Sequence, residues 1–303
     1  MGSTSVTVIG MLALSALLAT SVGRAESIPL TYDETLIAKG FPSPLVVVAV
    51  RKQPAAQFLV DNGALVHALA SWFVKSAGIA TQAEKGSARG STGSETTVRV
   101  TRHVDLTLEN GRHLQLEHAI VIDFPPIFEE LRIAGLLSPQ SFAPENLAAV
   151  LDLRAPSLTI EPFQKAIDRL HIAPMPEGRV CERNFYAIPI FAAGGRGFAL
   201  LDTGATGTVI APESQIAKAL ESRSIEGKHT QGVGGKIIEN RHVPAVEIQR
   251  AGVPAVVDLN IGQTAGPACA ADGLLGMDAL RQCVLVMGKS ALGMACDSPG
   301  NLQ

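Results

Sequence analysis

The sequence predicts an all-β protein built from two similar lobes with a cleft between them, and three observations predict this fold class. The 303-residue chain contains 29 glycines and 18 prolines, which is typical of a protein with many turns. Its apolar runs are rich in Val, Ile and Thr, the residues that favour strands. The third observation is an order of motifs that occurs twice along the chain. Each lobe is therefore expected to be a small closed or sandwiched barrel.

The composition bounds the class of protein. Hydrophobic residues make up 47% of the chain and charged residues 17%, so the chain can bury a core and is not a disordered protein. The net charge is −3 and no dense Lys/Arg block is present, which disfavours a nucleic-acid partner. The seven histidines show no metal-ligand spacing, and no Gly-x-Ser-x-Gly motif is present. From the residues we expect no cofactor and no metal ion.

The N-terminus has the features of an export signal. Residues 6–22 are apolar or small and carry no charge, and Gly23 and Ala25 provide small residues before a cleavage point after Ala25. Residues 1–25 are therefore predicted to be a signal peptide, with export most consistent with a bacterial periplasm and no membrane span after its removal. No Lys or Arg precedes the apolar run, so an uncleaved anchor is the alternative. Residues 26–40 fit either a short pro-segment or an edge strand.

The four cysteines all lie in the second half of the chain, at Cys181, Cys269, Cys283 and Cys296. An even number of cysteines behind a signal peptide predicts two disulfides formed in an oxidising compartment. Three pairings are possible. We prefer Cys269–Cys283 as a local bridge and Cys181–Cys296 as a tie between the ends of the second half, with buried free thiols as the alternative.

The repeated order begins with a strand-rich hairpin that ends on an Asp-x-Gly-Ala segment. The two segments are Asp61-Asn62-Gly63-Ala64 and Asp202-Thr203-Gly204-Ala205, and their aspartates are 141 residues apart. Each is followed at a similar distance by Gly-Leu-Leu, at 135–137 and 273–275, and then by another apolar strand. Matched features at matched spacing indicate two similar structural units.

The repeat and the composition between its copies set the predicted boundaries. A first lobe covers 26–163 and carries the divergent Asp-Asn-Gly, and a second lobe covers 184–297 and carries Asp-Thr-Gly. A linker containing Pro174 and Pro176 spans 164–183, and a tail covers 298–303. We predict helical turns at 127–131, 144–149, 164–170, 213–220 and 277–281, with strands and turns elsewhere.

Three segments of the second lobe, 198–210, 232–238 and 273–278, resemble the retropepsin-like family of aspartic peptidases. The alanine that follows each Asp-x-Gly is also typical of that family. The resemblance is specific across the second lobe, diffuse across the first, and covers about residues 44–297. It implies two homologous retropepsin-like β-barrel lobes with a cleft between them, and a chain that works as a monomer because it carries both lobes.

The resemblance implies that Asp61 and Asp202 are the catalytic pair of an aspartic endopeptidase. Two carboxylates held close together share a proton, so one can activate a water as a base while the other acts as an acid on the peptide carbonyl. The supporting active-site loops would be Asn62, Gly63, Thr203 and Gly204. A flap that closes on a peptide or protein substrate would contain Gly232, Val233, Gly234 and Gly235.

The first lobe departs from the family pattern at two positions. Asn62 stands where the family has Thr or Ser, and Ser138 stands where the second lobe has glycine. An active enzyme, a weak enzyme and a catalytically dead exported peptide-binding pseudopeptidase are all compatible with these residues. A purely structural envelope protein is a further alternative, but it leaves the repeated Asp-x-Gly unexplained.

Overall fold

The structure is a computed structural model that describes residues 27–50, 53–82, 85–89, 95–181, 185–231, 237–263 and 270–297. The predicted signal peptide and C-terminal tail lie outside these residues, as do the predicted flap residues Gly232, Val233, Gly234 and Gly235. Within the described ranges, no helix has both the length and the apolar character needed to cross a membrane.

The first half of the chain is mostly strands. In chain order, its elements are β1 (Ser27–Pro29), α1 (Glu34–Ala38), β2 (Leu45–Val50), β3 (Gln53–Val60), β4 (His67–Ala70), α2 (Ser71–Ala77), β5 (Lys85–Arg89), β6 (Glu95–Thr107), β7 (His113–Ile122), α3 (Pro126–Glu130), β8 (Ile133–Leu137), a 3₁₀ turn (Pro139–Phe142), β9 (Ala148–Asp152) and β10 (Ser157–Glu161).

The second half follows a similar order. Its elements are α4 (Phe163–Leu170), β11 (Arg179–Val180), β12 (Tyr186–Ala192), β13 (Gly195–Leu201), β14 (Val209–Ile210), α5 (Gln215–Ala219), a 3₁₀ turn (Glu221–Arg223), β15 (Ile225–Gln231), β16 (Ile237–Arg250), β17 (Val253–Ile261), β18 (Gly273–Leu275), α6 (Met277–Leu280), β19 (Cys283–Gly288) and β20 (Leu292–Cys296). The prediction of a mostly β protein is confirmed.

Two of the three sheets share one plan. The first half forms a sheet in the order β2-β3-β8-β4-β7-β6-β5, and the second half forms one in the order β11-β12-β13-β18-β14-β17-β16-β15. In both, the second strand of the opening hairpin pairs in parallel with the Gly-Leu-Leu strand, β3 with β8 and β13 with β18. The duplicated motif order in the sequence therefore corresponds to a duplicated strand order.

The third sheet contains strands from both halves, in the order β1-β10-β9-β19-β20. β9 and β19 lie side by side and antiparallel at its centre, with Leu151 opposite Leu285. Every residue of β19 is buried, as are the first four residues of β9. A strand that is covered on both faces has all its side chains buried. This explains why these segments lack an alternating polar pattern.

The surface sheets show the expected alternation. In β7, Leu114 and Leu116 are buried while Gln115 between them is exposed, because successive side chains of a strand point to opposite faces. The core is mainly aliphatic, and its two largest fully buried side chains are Phe58 and Tyr186. This agrees with an aromatic content of only 4%.

One local prediction differs from the structure. The helical turn predicted at 144–149 is wrong: the residues Ala148 and Ala149 begin β9, which pairs with β10 on one side and β19 on the other. Tertiary pairing overrides local propensity there. The helical turn predicted at 164–170 is confirmed as α4, whose Ala166 and Ile167 pack in a cluster with Val284 and Val286 of β19.

The preferred disulfide pairing is also wrong. Cys283 and Cys296 form a disulfide with each other, because they face each other across the antiparallel β19–β20 pair. This excludes both Cys269–Cys283 and Cys181–Cys296. Cys181 is disulfide-bonded as well, and Cys269 lies outside the described residues.

Candidate functional site

The two aspartates of the repeat occupy equivalent positions, one residue beyond the ends of β3 and β13. The backbone N–H of Asp61 donates to the carbonyl of Leu137 at 2.9 Å, and that of Asp202 donates to the carbonyl of Leu275 at 3.0 Å. Each aspartate is therefore anchored to the Gly-Leu-Leu strand beside it. The parallel pairing of these strands places both aspartates at the same end of their respective sheets.

The two loops meet, and the structure brings the carboxyl groups of Asp61 and Asp202 together, each against the glycine of the opposite loop. Each carboxyl group also accepts from its own loop. Gly63 N–H donates to Asp61 Oδ1 at 2.8 Å, and Gly204 N–H donates to Asp202 Oδ1 at 2.9 Å. We call Asp61 and Asp202 the carboxyl pair.

Glycine is required at the third position of each motif because the carboxyl group from the other half lies against it. A Cβ added at Gly63 would lie 2.5 Å from Asp202 Oδ1, and one added at Gly204 would lie 2.5 Å from Asp61 Oδ2. Both separations are too short for any real Cβ contact. The close approach of the two loops thus depends on the absence of a side chain at both positions.

The surroundings of the carboxyl pair favour its protonated state. Burial raises the pKa of Asp61 well above its ordinary value, and the neighbouring charge of Asp202 raises it further. Burial also raises the pKa of Asp202. Because two adjacent carboxylates cannot both ionise easily, the pair holds a proton and titrates as a unit. Asp61 is buried and Asp202 is half-buried beside the exposed Gly204, so the pair is reached from the side of Asp202.

Asn62 and Thr203 link the two loops through reciprocal hydrogen bonds. Asn62 Nδ2 donates to the carbonyl of Leu201 at 2.9 Å, and its Oδ1 accepts from Thr203 N–H at 2.8 Å. Thr203 Oγ1 donates to the carbonyl of Val60 at 2.8 Å and accepts from Asn62 N–H at 3.1 Å. The amide of Asn62 therefore contacts the same backbone groups, related by the repeat, as the hydroxyl of Thr203. Both residues are fully buried.

Sequence reasoning missed one residue that fixes the first loop. Gln140, in the 3₁₀ turn after β8, donates through Nε2 to the carbonyl of Asn62 at 3.0 Å and to that of Ala64 at 2.9 Å. Because its partners are backbone groups more than 70 residues earlier in the chain, no local pattern marks this glutamine.

Ser138 and His67 form a second buried contact near the first loop. Ser138 N–H donates to His67 Nδ1 at 3.2 Å, and the His67 ring packs on Phe142 with 4.4 Å between ring centroids. Burial lowers the pKa of His67 from 6.5 to about 4. The histidine is therefore neutral in the folded protein at neutral pH, as its role as an acceptor requires.

We expect His67 to make the protein less stable in mild acid. Below pH 6.5 the unfolded chain binds a proton at this residue that the folded protein does not bind until the pH approaches 4. Stability is therefore lost as the pH falls through this window, by a total on the order of 3 kcal/mol. Urea unfolding of the wild type and His67→Gln at about pH 7 and 4.5 measures the effect, with the exposed His118→Gln as the control. An equal acid loss in wild type and His67→Gln would contradict this assignment.

No group of three or more His, Cys, Asp or Glu side chains that could hold a metal ion occurs within the described ranges. The carboxyl pair offers one proton shared between two carboxyl groups, and backbone N–H groups donate to their oxygens.

Comparison with known proteins adds information on the fold. No family model matches the sequence. No curated protein matches it either. Among solved structures, conglutin gamma, a basic 7S globulin from lupine seeds, matches at a TM-score of 0.50 and 12% identity, over 90% of this chain and 95% of that chain. Basic 7S globulin from soybean matches at a TM-score of 0.48 and 10% identity, over the same shares.

The match to conglutin gamma overturns the predicted identification as a retropepsin-like aspartic peptidase. Conglutin gamma is a basic 7S globulin from lupine seeds. The predicted function, an aspartic endopeptidase that hydrolyses peptide bonds, is therefore wrong, as are the hydrolase class and the role in proteolysis. A motif that places two carboxyl groups together does not by itself fix a reaction, because one fold hosts unrelated functions. At 12% identity, the likeness to conglutin gamma shows only that the chain has this fold.

Proposed function

We propose that this chain is an exported, non-enzymatic binding protein that holds a small neutral amide or hydroxyl compound at the carboxyl pair. The observation that carries the proposal is the close approach of the carboxyl groups of Asp61 and Asp202, which two equivalent loops place against each other's glycines. With one proton shared between its two carboxyl groups, the pair offers several acceptor oxygens and one O–H that can turn from the partner carboxyl group to a ligand. An amide or a hydroxyl group can satisfy both functions at once.

The surface next to the carboxyl pair suits a small ligand. Gly204 and Thr206 are exposed on the loop of the second half, and Val66 on the loop of the first half is 41% exposed. A ligand would therefore meet hydrogen-bonding groups at the pair. The loops are held in place by buried bonds of Asn62 and Thr203, so the site is formed before a ligand arrives.

The organisation and export of the chain belong to the same proposal. A first lobe at 26–163 and a second lobe at 184–297 are supported by the equivalent strand orders of the two large sheets. Export with removal of residues 1–25 is supported by the Cys283–Cys296 disulfide, since such bonds form in oxidising compartments. In this proposal the supporting residues Asn62, Gly63, Thr203 and Gly204 shape a binding site rather than a catalytic one.

We expect binding to depend on pH through the carboxyl pair. As the pH rises through the raised pKa of Asp61, the shared proton is lost, the pair no longer donates, and affinity falls. The test is a titration with N-acetylglycinamide followed by ¹H–¹⁵N NMR. The amide signals of Gly63 and Gly204 report on the site, because both N–H groups donate to the carboxyl pair. At about pH 5, the changes in chemical shift should saturate as ligand is added. At higher pH, the same additions should cause smaller changes.

The variant Asp202→Asn separates the effect of hydrogen bonding at position 202 from the effect of its negative charge. Its amide still offers a donor and an acceptor, but it removes the neighbouring negative charge, so the loss of binding should move to lower pH. The exposed Asp123→Asn is the matched control and should behave as the wild type. The proposal fails if neither glycine responds to the ligand, or if an amide ligand is recovered hydrolysed.

A further inference from the structure

The chain contains two Asn-Gly steps, and the structure places them in opposite surroundings. Asn62-Gly63 lies in the loop of the first half that carries Asp61, and Asn110-Gly111 lies in the turn between β6 and β7. Asn62 is fully buried, whereas Asn110 and Gly111 are exposed. The same two residue types therefore occur once inside the contact between the halves and once on the surface.

An Asn-Gly step can lose its side-chain amide without an enzyme, because glycine has no side chain to hinder its backbone nitrogen. That nitrogen attacks Cγ of the asparagine and forms a new N–Cγ bond. The amide nitrogen leaves as ammonia and takes up, through water, the proton that the glycine N–H gives up. Water then opens the cyclic imide to an aspartate or an isoaspartate. The reaction requires a free asparagine side chain, a free glycine N–H and access for water.

The contact between the halves withholds all three requirements from Asn62. Its Nδ2 donates to the carbonyl of Leu201 and its Oδ1 accepts from Thr203 N–H, so the amide cannot turn towards the next residue. The N–H of Gly63 is bound to Asp61 Oδ1 at 2.8 Å. The side chain of Asn62 is also out of contact with solvent. Because Leu201 and Thr203 belong to the second half, this protection lasts only while the halves are in contact.

The surface step is held only by bonds within its own turn. Asn110 Oδ1 accepts from Arg112 N–H at 3.1 Å, and Gly111 N–H donates to the carbonyl of Leu108 at 2.9 Å. Opening an exposed turn costs far less free energy than separating a buried contact, so this step is open to water for part of the time in the folded protein.

We propose that Asn62-Gly63 is a deamidation site that is controlled by the contact between the two halves. The step stays intact while the halves are in contact and reacts when they separate. An aspartate at position 62, ionised at neutral pH, has no N–H to donate to the carbonyl of Leu201 and adds a buried negative charge beside the carboxyl pair. An isoaspartate also lengthens the backbone of the loop.

The reaction is therefore irreversible in effect. A chain whose halves stay apart for long loses the amide that joins them and does not return to the folded population. This consequence follows from the bonds of Asn62 alone and does not depend on what the carboxyl pair binds.

Peptide mass mapping after incubation at mildly alkaline pH tests the proposal, with one sample kept folded and one unfolded in urea. Trypsin places the two steps on separate peptides, 53–75 and 103–112, so Asn110 is an internal control with the same glycine neighbour. In the folded sample, we expect the mass increase from replacement of NH₂ by OH in the peptide of Asn110 and none in that of Asn62. In urea, both peptides should change at similar rates.

The variant Gly204→Ala tests whether the contact is the cause. It crowds Asp61 from the second half and leaves the Asn62-Gly63 step unchanged in sequence. Without urea, it should speed the loss of the amide at Asn62 and leave the rate at Asn110 as in the wild type. Gly86→Ala is the matched control and should change neither rate. If Gly204→Ala does not fold, graded urea on the wild type gives the same comparison, and loss at Asn62 should increase with the unfolded fraction.

Three results would overturn the proposal. Equal rates at Asn62 and Asn110 in the folded wild type would show that the contact gives no protection. An Asn62 that stays intact in urea while Asn110 reacts would show that the step is not a site of this reaction. An Asn62→Asp protein as stable to urea at neutral pH as the control Asn110→Asp would show that the deamidated loop still joins the halves.

Discussion

Asn62→Ala should destabilise the protein by about 2–5 kcal/mol, the largest effect we expect from a single side chain. The change leaves the carbonyl of Leu201 and the N–H of Thr203 without partners. Both groups are at the fully buried contact between the two halves, where each unpaired group costs about 1–3 kcal/mol. Urea unfolding measured by circular dichroism gives the change in free energy of unfolding.

The substitution Asn62→Thr provides the comparison for this experiment. Thr203 already shows what a threonine does at the equivalent position: its hydroxyl donates to the carbonyl before the opposite aspartate and accepts an N–H from the opposite loop. A threonine at 62 can make the same two bonds, so its loss of stability should be much smaller than that of alanine. The exposed Asn110→Ala serves as the control, and equal effects of the alanine changes at 62 and 110 would contradict the role of Asn62.

Gly204→Ala should separate the carboxyl pair and destabilise the protein by about 3 kcal/mol, the upper range for overpacking a close contact. The new methyl group would occupy the space that the carboxyl group of Asp61 fills. Gly63→Ala is expected to act in the same way on Asp202. Gly86→Ala is the matched control, since a Cβ there makes only an ordinary contact with Val98.

The pH dependence of stability distinguishes loss of the carboxyl pair from general damage. In the wild type, the folded protein holds protons at Asp61 and Asp202 above the ordinary pKa of 3.8, so stability falls as the pH rises through the raised pKa values. Once the carboxyl groups are apart, each ionises more easily and this slope flattens. A Gly204→Ala protein that keeps the wild-type slope would show that the pair survives the change.

The repeated part of the fold could be predicted from the sequence because its signals are local. Each Asp-x-Gly-Ala follows an apolar strand, and each Gly-Leu-Leu begins or ends another. Two copies at matched spacing suffice to predict two equivalent sheets. The position of the aspartates follows from the same pattern, since Asp61 and Asp202 each come directly after a strand.

The remaining features depend on contacts that no local pattern encodes. The Cys283–Cys296 bond follows from the register of β19 against β20, which the positions of the cysteines in the sequence do not reveal. Gln140 acts on backbone carbonyls, whose positions a sequence does not reveal. The peptidase prediction was wrong for a different reason: the residues that shape a loop were taken to define its chemistry.

The sheet shared by both halves has a consequence for folding. Its central pair joins β9 to β19, so that Leu151 meets Leu285 only after the intervening chain has been made and arranged. Such contacts between distant residues form late and slow the folding of a chain. A chain nicked between its halves should stay assembled through this strand pair, while either fragment alone would expose the unpaired edge of β9 or β19 and aggregate. The two halves resemble each other in plan, yet the sheet that they share is complete only when both are folded.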